Sequence, residues 1–511
     1  MTHFSKSPIR RLTCLILAIL LTAGVFAVSA TAEQSVTVEP IAFRNPDFVR
    51  GMDVSSVIAL EKSGVIFRNR DGDREDIFKI LADNGVNTIR VRVWNDPYDS
   101  NGNGYGGGNN DVATAAKIGQ RAAKYGLNLL VDFHYSDFWA DPGKQKAPKA
   151  WANMTLAEKT AALKAFTTES LKTIRDAGAH ITMVQIGNET NLGIAGENSW
   201  TNMAQLYNAG SQAVREFSSE IRVMIHYTNP ENTYIRTMAD FLHDYQVDYD
   251  IFATSYYPCW HGSLENLTDT LSYVAEKYDK YTMVAETSYP YTLSDSDGHA
   301  NTISEWNNCT GENMLWDFTP QGQADEVRAV MNAVNNVKNG KGLGMCYWEG
   351  AWITVGDVSG LSSIAYSDRL EKNKARWERD GSGWAPSFCA EFDPDDAGKW
   401  YGGSAVDNQA FFSPDGAALP SLGVFRGVLP QGAYRLGDAD GDDTIDVIDV
   451  TVIQRKCAKI DQPIDETTLM HGDINENGIL EIVDAAYIQR YLINAPLQYP
   501  IGIWKSAVQI H

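Results

Sequence analysis

Two apolar segments of the chain each end in a glutamate: Met183-Val184-Gln185-Ile186-Gly187-Asn188-Glu189 and Thr282-Met283-Val284-Ala285-Glu286. Cleavage of a glycosidic bond needs such a pair. One carboxyl is protonated and donates to the leaving oxygen, while the other is ionised and attacks the anomeric carbon, so the two must converge from different parts of a fold. Either glutamate alone could simply cap a strand as the chain returns to solvent. The rest of the sequence weighs one reading against the other.

Between about residue 41 and residue 428, short apolar runs alternate with helix-period segments, the pattern of a parallel sheet connected by helices. Eight runs fit: 49–54, 88–93, 127–134, 183–189, 222–226, 251–256, 282–286 and 344–348. Helical spacing occupies 74–84, 111–125, 156–177 and 202–217 between them. Eight strand-helix units predict an α/β protein built on a (β/α)8 TIM barrel, whose chemistry sits at the C-terminal strand ends. Asp53, Arg92, His134, Glu189, Tyr256, Glu286 and Trp348 close these runs. Any one of them could be a core polar group with a satisfied hydrogen bond. Together they point to a site, with Asn188 placed to bond a sugar 2-hydroxyl, Tyr256 to hold the nucleophile, Trp139 and Trp348 to offer flat faces to a pyranose, and Arg92 to keep Glu286 ionised.

With 511 residues the chain is too long for one small core. A net charge of -22 argues against nucleic acid and anionic membrane surfaces as partners. Lys6, Arg10 and Arg11 precede an apolar stretch over 12–28, and Ala30-Thr31-Ala32 offers a cleavage site, so residues 1–32 are expected to be a signal peptide and the enzyme to be secreted. Beyond the leader remain Cys259, Cys309, Cys346, Cys389 and Cys457, too sparse for a disulfide scaffold. The segment 95–110, with Gly102, Gly104, Gly106, Gly107 and Gly108, lacks the G-x-x-x-x-G-K-[ST] pattern of a phosphate loop and reads as a substrate-side loop.

After about Gly432 the composition turns acidic and duplicated. Asp438, Asp440, Asp442, Asp446 and Asp449, with the Thr444 carbonyl, occupy positions 1, 3, 5, 9, 12 and 7 of an EF-hand-type loop. Asp473, Asn475, Asn477, Glu481 and Asp484, with the Ile479 carbonyl, repeat them in register. Position 12 is aspartate rather than glutamate, and position 6 of the first copy is Asp443 rather than glycine. A calcium ion in each loop makes so many adjacent carboxylates tolerable. The duplication, with a helix after each loop and no entering helix, resembles a dockerin over residues 436–495, followed by a tail at 496–511. The resemblance implies a cohesin partner on a scaffold or cell surface, of a class that Val447-Ile448 and Ile482-Val483 at positions 10 and 11 leave open.

A further metal candidate follows Glu286, where Asp295, Asp297, His299 and Asn301 set donors at alternate positions; a polar turn is the other reading. Gly51-Met52-Asp53-Val54-Ser55-Ser56, Arg90-Val91-Arg92-Val93-Trp94-Asn95-Asp96-Pro97, Asp132-Phe133-His134-Tyr135-Ser136-Asp137-Phe138-Trp139-Ala140-Asp141-Pro142, Gln185-Ile186-Gly187-Asn188-Glu189, Ala285-Glu286-Thr287 and Tyr401-Gly402-Gly403-Ser404-Ala405-Val406-Asp407-Asn408-Gln409 closely resemble glycoside hydrolase family 53, the arabinogalactan endo-β-1,4-galactanases. These motifs span nearly the whole of residues 41–428. The resemblance implies a retaining mechanism with Glu189 as acid/base and Glu286 as nucleophile, and adds Asp141 to the substrate-binding set. It also implies a structural calcium on Asp295, Asp297, His299 and Asn301, with Ser404 and Asp407 as co-ligands. The segment 303–320, with Trp306, Cys309 and Trp316, reads as an insertion in the family pattern.

The substrate implied is β-1,4-galactan, the type I arabinogalactan side chains of pectin. A mannanase or cellulase on the same barrel is the enzymatic alternative, since fold alone does not set specificity. A non-catalytic carbohydrate-binding barrel is the alternative of another class, and the presence of both glutamates speaks against it.

Overall fold

The computed structural model describes residues 35–304, 313–399, 402–460, 463–493, 495 and 497–505. The expected leader over 1–32, Trp306, Cys309 and the tail beyond residue 505 lie outside the described residues. Eight strands, β1 (Val49–Asp53), β2 (Thr88–Val93), β3 (Asn128–Phe133), β4 (Ile181–Ile186), β5 (Arg222–Tyr227), β6 (Ile251–Ser255), β7 (Tyr281–Thr287) and β8 (Gly342–Tyr347), pair in sequence order, and β8 closes on β1. The expected barrel is present. Its helices start on local signals: Asp111 caps Val112–Ala123, and a Thr155–Glu158 capping box opens Leu156–Asp176.

Strand alternation separates two layers. Val49, Leu130, Met183, Met224, Ile251 and Met283 fill the barrel interior, while Ile89, Val91, Leu129 and Val131 pack outward under the helices. Along β2, β3 and β4 the next inward residues are Arg92, Asp132 and Gln185, so apolar filling gives way to polar groups toward the C-terminal ends. On β7 the same alternation, running from Met283 to Ala285, would turn Glu286 outward. Register irregularities at Thr254/Ser255 and between Val284 and Thr287 reset it there, as bulges do at barrel rims.

Residues just past β3, β4, β5 and β8 adopt left-handed backbone: Tyr135 (φ 50°), Glu189 (φ 46°), Asn229 (φ 67°) and Glu349 (φ 47°). For non-glycine residues this is strained, and it concentrates at the end of the barrel where Glu189 sits. Cys259 is disulfide-bonded, whereas Cys346, Cys389 and Cys457 are free thiols. No helix among the described residues is long and apolar enough to cross a membrane.

The C-terminal module has its own small core of Leu436, Ile445, Ile453, Leu480 and Ile488. A two-residue strand β9 (Tyr434–Arg435) leads into the first acidic loop and pairs antiparallel with β10 (Trp504–Lys505) near the end of the described chain. Helices Val447–Cys457 and Ile482–Leu492 follow the loops as expected. A short helix, Glu466–Gly472, enters the second loop, which corrects the expectation that neither loop has one; Asp465 caps it by accepting from the Thr468 amide.

Candidate active site

Arg90 is the hub of the strand ends. Its guanidinium meets Asp53 at 3.0 Å, Asp132 at 2.8 Å, Glu286 at 2.8 Å and the Asn188 side-chain oxygen at 2.9 Å, and the residue is 1% exposed. Burial works against this charge, but Asp132, Glu286 and Asp53 outweigh it and hold Arg90 above its ordinary value. Desolvation likewise opposes ionisation of Asp132, yet Arg90 and His134 keep that carboxyl below the usual range. Arg90 thus serves three buried carboxylates, of which Asp53 also lies 3.9 Å from Arg92, itself paired with Glu349; carboxylates outnumber guanidinium groups there, and the centre stays electronegative.

Glu286 lies in this field, 6% exposed, and accepts from the Tyr257 hydroxyl at 3.1 Å. Burial raises its pKa and Arg90 opposes the rise. Glu189 is partly exposed and pairs with no cation among the described residues: Ser255 Oγ donates to it at 2.6 Å, and burial followed by repulsion from Glu286 pushes its pKa up to about 8. The two carboxyls are neighbours through the sheet, because Ser255 on β6 is the registered partner of Glu286 on β7. Behind Ser255, His226 Nε2 lies 3.0 Å from its hydroxyl, and desolvation holds that imidazole neutral.

Several expected roles move by a residue. Tyr256 is buried with its hydroxyl on the Gly262 carbonyl, and Tyr257 holds Glu286; β6 ends at Ser255, so the alternation expected to reach Tyr256 stops short. Arg92 does not contact Glu286. It pairs with Glu349 at 2.6 Å, donates to the Gly107 carbonyl, and lies 4.4 Å from the Trp139 ring centroid. Trp139 is therefore covered, by Arg92 and by Trp384 stacked at 4.5 Å, and is only 8% exposed. Trp348 and Trp384 are the partly exposed rings of that wall. The glycine-rich loop packs beneath them: at Gly107 (φ +53°) a Cβ would come within 2.6 Å of Trp139.

Asp53 and His134 are sealed into the network rather than presented to the cleft. Asp53 accepts from Arg90 and Ser55, while His134 accepts from the Trp94 indole at 3.1 Å and donates to Asp132 at 3.0 Å. Asn188 places its oxygen on Arg90 and donates one amide hydrogen to the Ala140 carbonyl at 2.9 Å, which leaves the other for a sugar hydroxyl. Asp141 is half-buried and adds to the negative field at Glu189. Arg90, Ser255, His226, Tyr257, Glu349 and Trp384 join the site beyond the residues expected. Arg90 was legible two residues before Arg92 on the same strand face; no sequence signal marks Glu349, which follows the end of β8.

Asp295, Asp297 and Asp407 bring carboxylate oxygens within 4.8 Å of one another. Asp297 and Asp407 are buried, and desolvation plus mutual repulsion pushes Asp297 well up and Asp407 to about 7. Among the described residues the Asn301 side-chain oxygen and His299 Nε2 are buried without partners. Ser404 donates its amide to Asp297 at 2.7 Å and its hydroxyl to the Trp352 carbonyl at 3.0 Å. This oxygen-rich, charge-frustrated set fits a hard cation. In the module Asp438, Asp440 and Asp442 cluster likewise. The two loops share one internal pattern: Asp438 accepts from the amides of Asp442 and Asp443 as Asp473 does from Asn477 and Gly478, while Asp449 and Asp484 accept from Asp446 and Glu481.

A closed parallel barrel whose strand ends set a carboxyl held by a guanidinium beside one held by hydroxyls has the arrangement of a glycoside hydrolase. The chain belongs to glycosyl hydrolase family 53, whose family model matches residues 49–425, and residues 436–495 match the dockerin type I domain, a calcium-binding module. It is 54% identical over 400 residues to the endo-β-1,4-galactanase of Bacillus subtilis (strain 168), covering 78% of this chain and 90% of that protein. Against the arabinogalactan endo-β-1,4-galactanase of Cellvibrio japonicus (strain Ueda107) the identity is 32%, covering 65% and 89%. The solved family 53 catalytic domain of Ignisphaera aggregans superposes with a TM-score of 0.66 at 35% identity, covering 77% of this chain and 99% of that one.

Proposed function

We propose that the protein is a secreted, retaining endo-β-1,4-galactanase that cuts the β-1,4-galactan side chains of pectin and is attached to a cohesin-bearing scaffold or cell surface through its dockerin. The observation that carries the mechanism is the unequal environment of the two carboxyls. Glu189, pushed up to about 8 with a hydroxyl as partner, keeps its proton at neutral pH and serves as acid/base. Glu286, on the Arg90 guanidinium and the Tyr257 hydroxyl, serves as nucleophile. Glu189 protonates the leaving glycosidic oxygen as a Glu286 oxygen bonds to the anomeric carbon. Glu189 then takes a proton from water, whose oxygen displaces Glu286 and restores the anomeric configuration. Asn188 offers its free amide hydrogen to the 2-hydroxyl, and Trp348 and Trp384 give apolar faces to the sugar ring.

The similarity to named galactanases supports the substrate, and the cationic, apolar stretch before Ala32 supports export. Asp295, Asp297, His299, Asn301, Ser404 and Asp407 are proposed to hold one structural calcium and the two module loops one each; in the barrel the ion offsets buried carboxylate repulsion and fixes the loop after β7. The test is hydrolysis of a panel of pure polysaccharides with the product anomer read by NMR. Fast release of β-configured short oligosaccharides from β-1,4-galactan, with little from mannan or cellulose, is expected. Faster cleavage of mannan or cellulose would overturn the substrate, and an α-configured first product would overturn retention.

A further inference from the structure

The described chain continues past the second calcium-loop helix as Leu497–Lys505, and this segment returns to the barrel. We propose that it is a strap that fixes the calcium module on the N-terminal face of the barrel, so that the module is carried as a rigid part of the catalytic body with the cleft at the opposite end. The contacts lie at the strand starts. Arg50, the second residue of β1, is buried and donates to the Gly85 carbonyl at 2.9 Å and to the Trp504 carbonyl at 2.9 Å. Among the described residues no carboxylate pairs with that guanidinium, so the strap's carbonyl is part of what solvates it. The Trp504 ring is 5% exposed, lies 4.0 Å from the Arg426 guanidinium of the barrel's last helix, and belongs to neither hydrophobic core. At Gly126 (φ +74°), in the turn before β3, a Cβ would come within 2.1 Å of the Ile501 carbonyl, so the barrel surface is shaped to the strap.

The module's other end is pinned beside it. Arg435 on β9 is 8% exposed and pairs with Asp83 of the barrel at 2.6 Å, while donating to the Gly502 carbonyl of the strap. Asp443, standing in left-handed backbone (φ 68°) where the second loop has Gly478, pairs with Arg426 at 2.6 Å. The strain of a non-glycine residue there thus has a counterpart in a contact to the barrel. Between module and strand starts lies a cavity of about 460 Å³, lined by Arg50, Thr88, Asn128, Arg222, Tyr434 and Trp504 among others. Glu189 and Glu286 sit at the other strand ends. If the dockerin engages a cohesin as proposed above, the cleft faces away from the scaffold, but the strap itself does not rest on that reading.

The test compares the intact full-length chain with W504A and with D83A in saturating calcium, by small-angle scattering and by tryptic cleavage between Arg426 and Arg435. The intact protein should scatter as one compact body. W504A should extend and be cut about tenfold faster, in proportion to the undocked population, and D83A should move the same way by less. The calcium-induced helical signal and hydrolysis of galactan should be unchanged in both, because neither residue lies in the module core or the cleft. Scattering of the intact chain that requires two independently moving bodies would overturn the strap. So would W504A and D83A chains that scatter and resist trypsin as the intact one does; if W504A does not fold, D83A decides alone.

Discussion

Removing the Ser255 hydroxyl isolates what sets the proton on Glu189. Burial and then Glu286 drive this carboxyl up to about 8, and the hydrogen bonds from Ser255 and Thr228 pull in the opposite direction. The Ser255 bond is short, 2.6 Å, and charge-assisted once Glu189 ionises. Such a bond contributes about 1.5 to 3 kcal/mol, and about 1.4 kcal/mol corresponds to one pKa unit; partial exposure of Glu189 favours the lower end. Ser255→Ala should therefore raise the Glu189 pKa by about one unit. The general acid must be protonated, so the alkaline limb of kcat/KM against pH on β-1,4-galactan should lie near pH 8 in the native enzyme and move upward in the variant. The acid limb, governed by Glu286 on Arg90, should stay in place. kcat should fall as well, because the carboxyl loses the group that orients it. An alkaline limb that stays put or moves down would refute the assignment of Glu189 as the acid.

Arg90→Met should abolish activity and cost about 3 to 5 kcal/mol of stability by stranding Asp53, Asp132 and Glu286, read by chemical denaturation. Tyr257→Phe should lower kcat about tenfold with KM little changed, whereas Tyr256→Phe should leave kcat alone, which steady-state kinetics on galactan would check. Glu326 is 1% exposed with neither carboxylate oxygen partnered among the described residues, and burial raises it to about 8. The folded state therefore holds a proton that the unfolded chain releases above its ordinary value near 4.5, and stability falls as pH rises from there through about 8; Glu326→Gln should raise Tm at pH 8 and change little near pH 5. Asp407→Ala should bind one calcium fewer than the intact chain by calorimetric titration and lower Tm only when calcium is present.

The barrel was legible because its signal is repeated eight times: each strand is a short run such as Thr88–Val93 whose alternate residues serve two different layers. The glutamates were legible as strand-end carboxyls in apolar context. Their partners were not, because partnership depends on where each strand stops. The run ending at Tyr256 predicts that ring at the nucleophile, but a register irregularity beside Ser255 shortens β6 and passes the role to Tyr257. The same limit applies to Arg92, which shares a strand face with Arg90 yet sits one layer further toward the strand end, where Trp139 and Glu349 take it. Glu326 looks like an ordinary helix-surface acid in sequence, and only the packing of its helix against the barrel buries it.

On the proposed roles, the order in which Glu189 and Glu286 hold their proton follows from the placement of Arg90. If Arg90 and its three carboxylates are all ionised, the buried cluster carries a net negative charge, and any further carboxyl facing it resists ionisation. Glu189 is that further group. Moving Glu286 closer to Arg90 strengthens the nucleophile's ionised form, and the negative charge it keeps strengthens the proton on Glu189 in the same step, so the two roles are set together. In the proposed mechanism Glu286 would give up its charge to the sugar in the first chemical step and the repulsion on Glu189 would fall, so that its pKa would drop as the leaving oxygen needs the proton. When the glycosyl bond to Glu286 broke, the charge would return, and Glu189 would again prefer to hold the proton taken from water. On the proposed mechanism the same geometry would cycle the acid/base pKa in phase with the reaction.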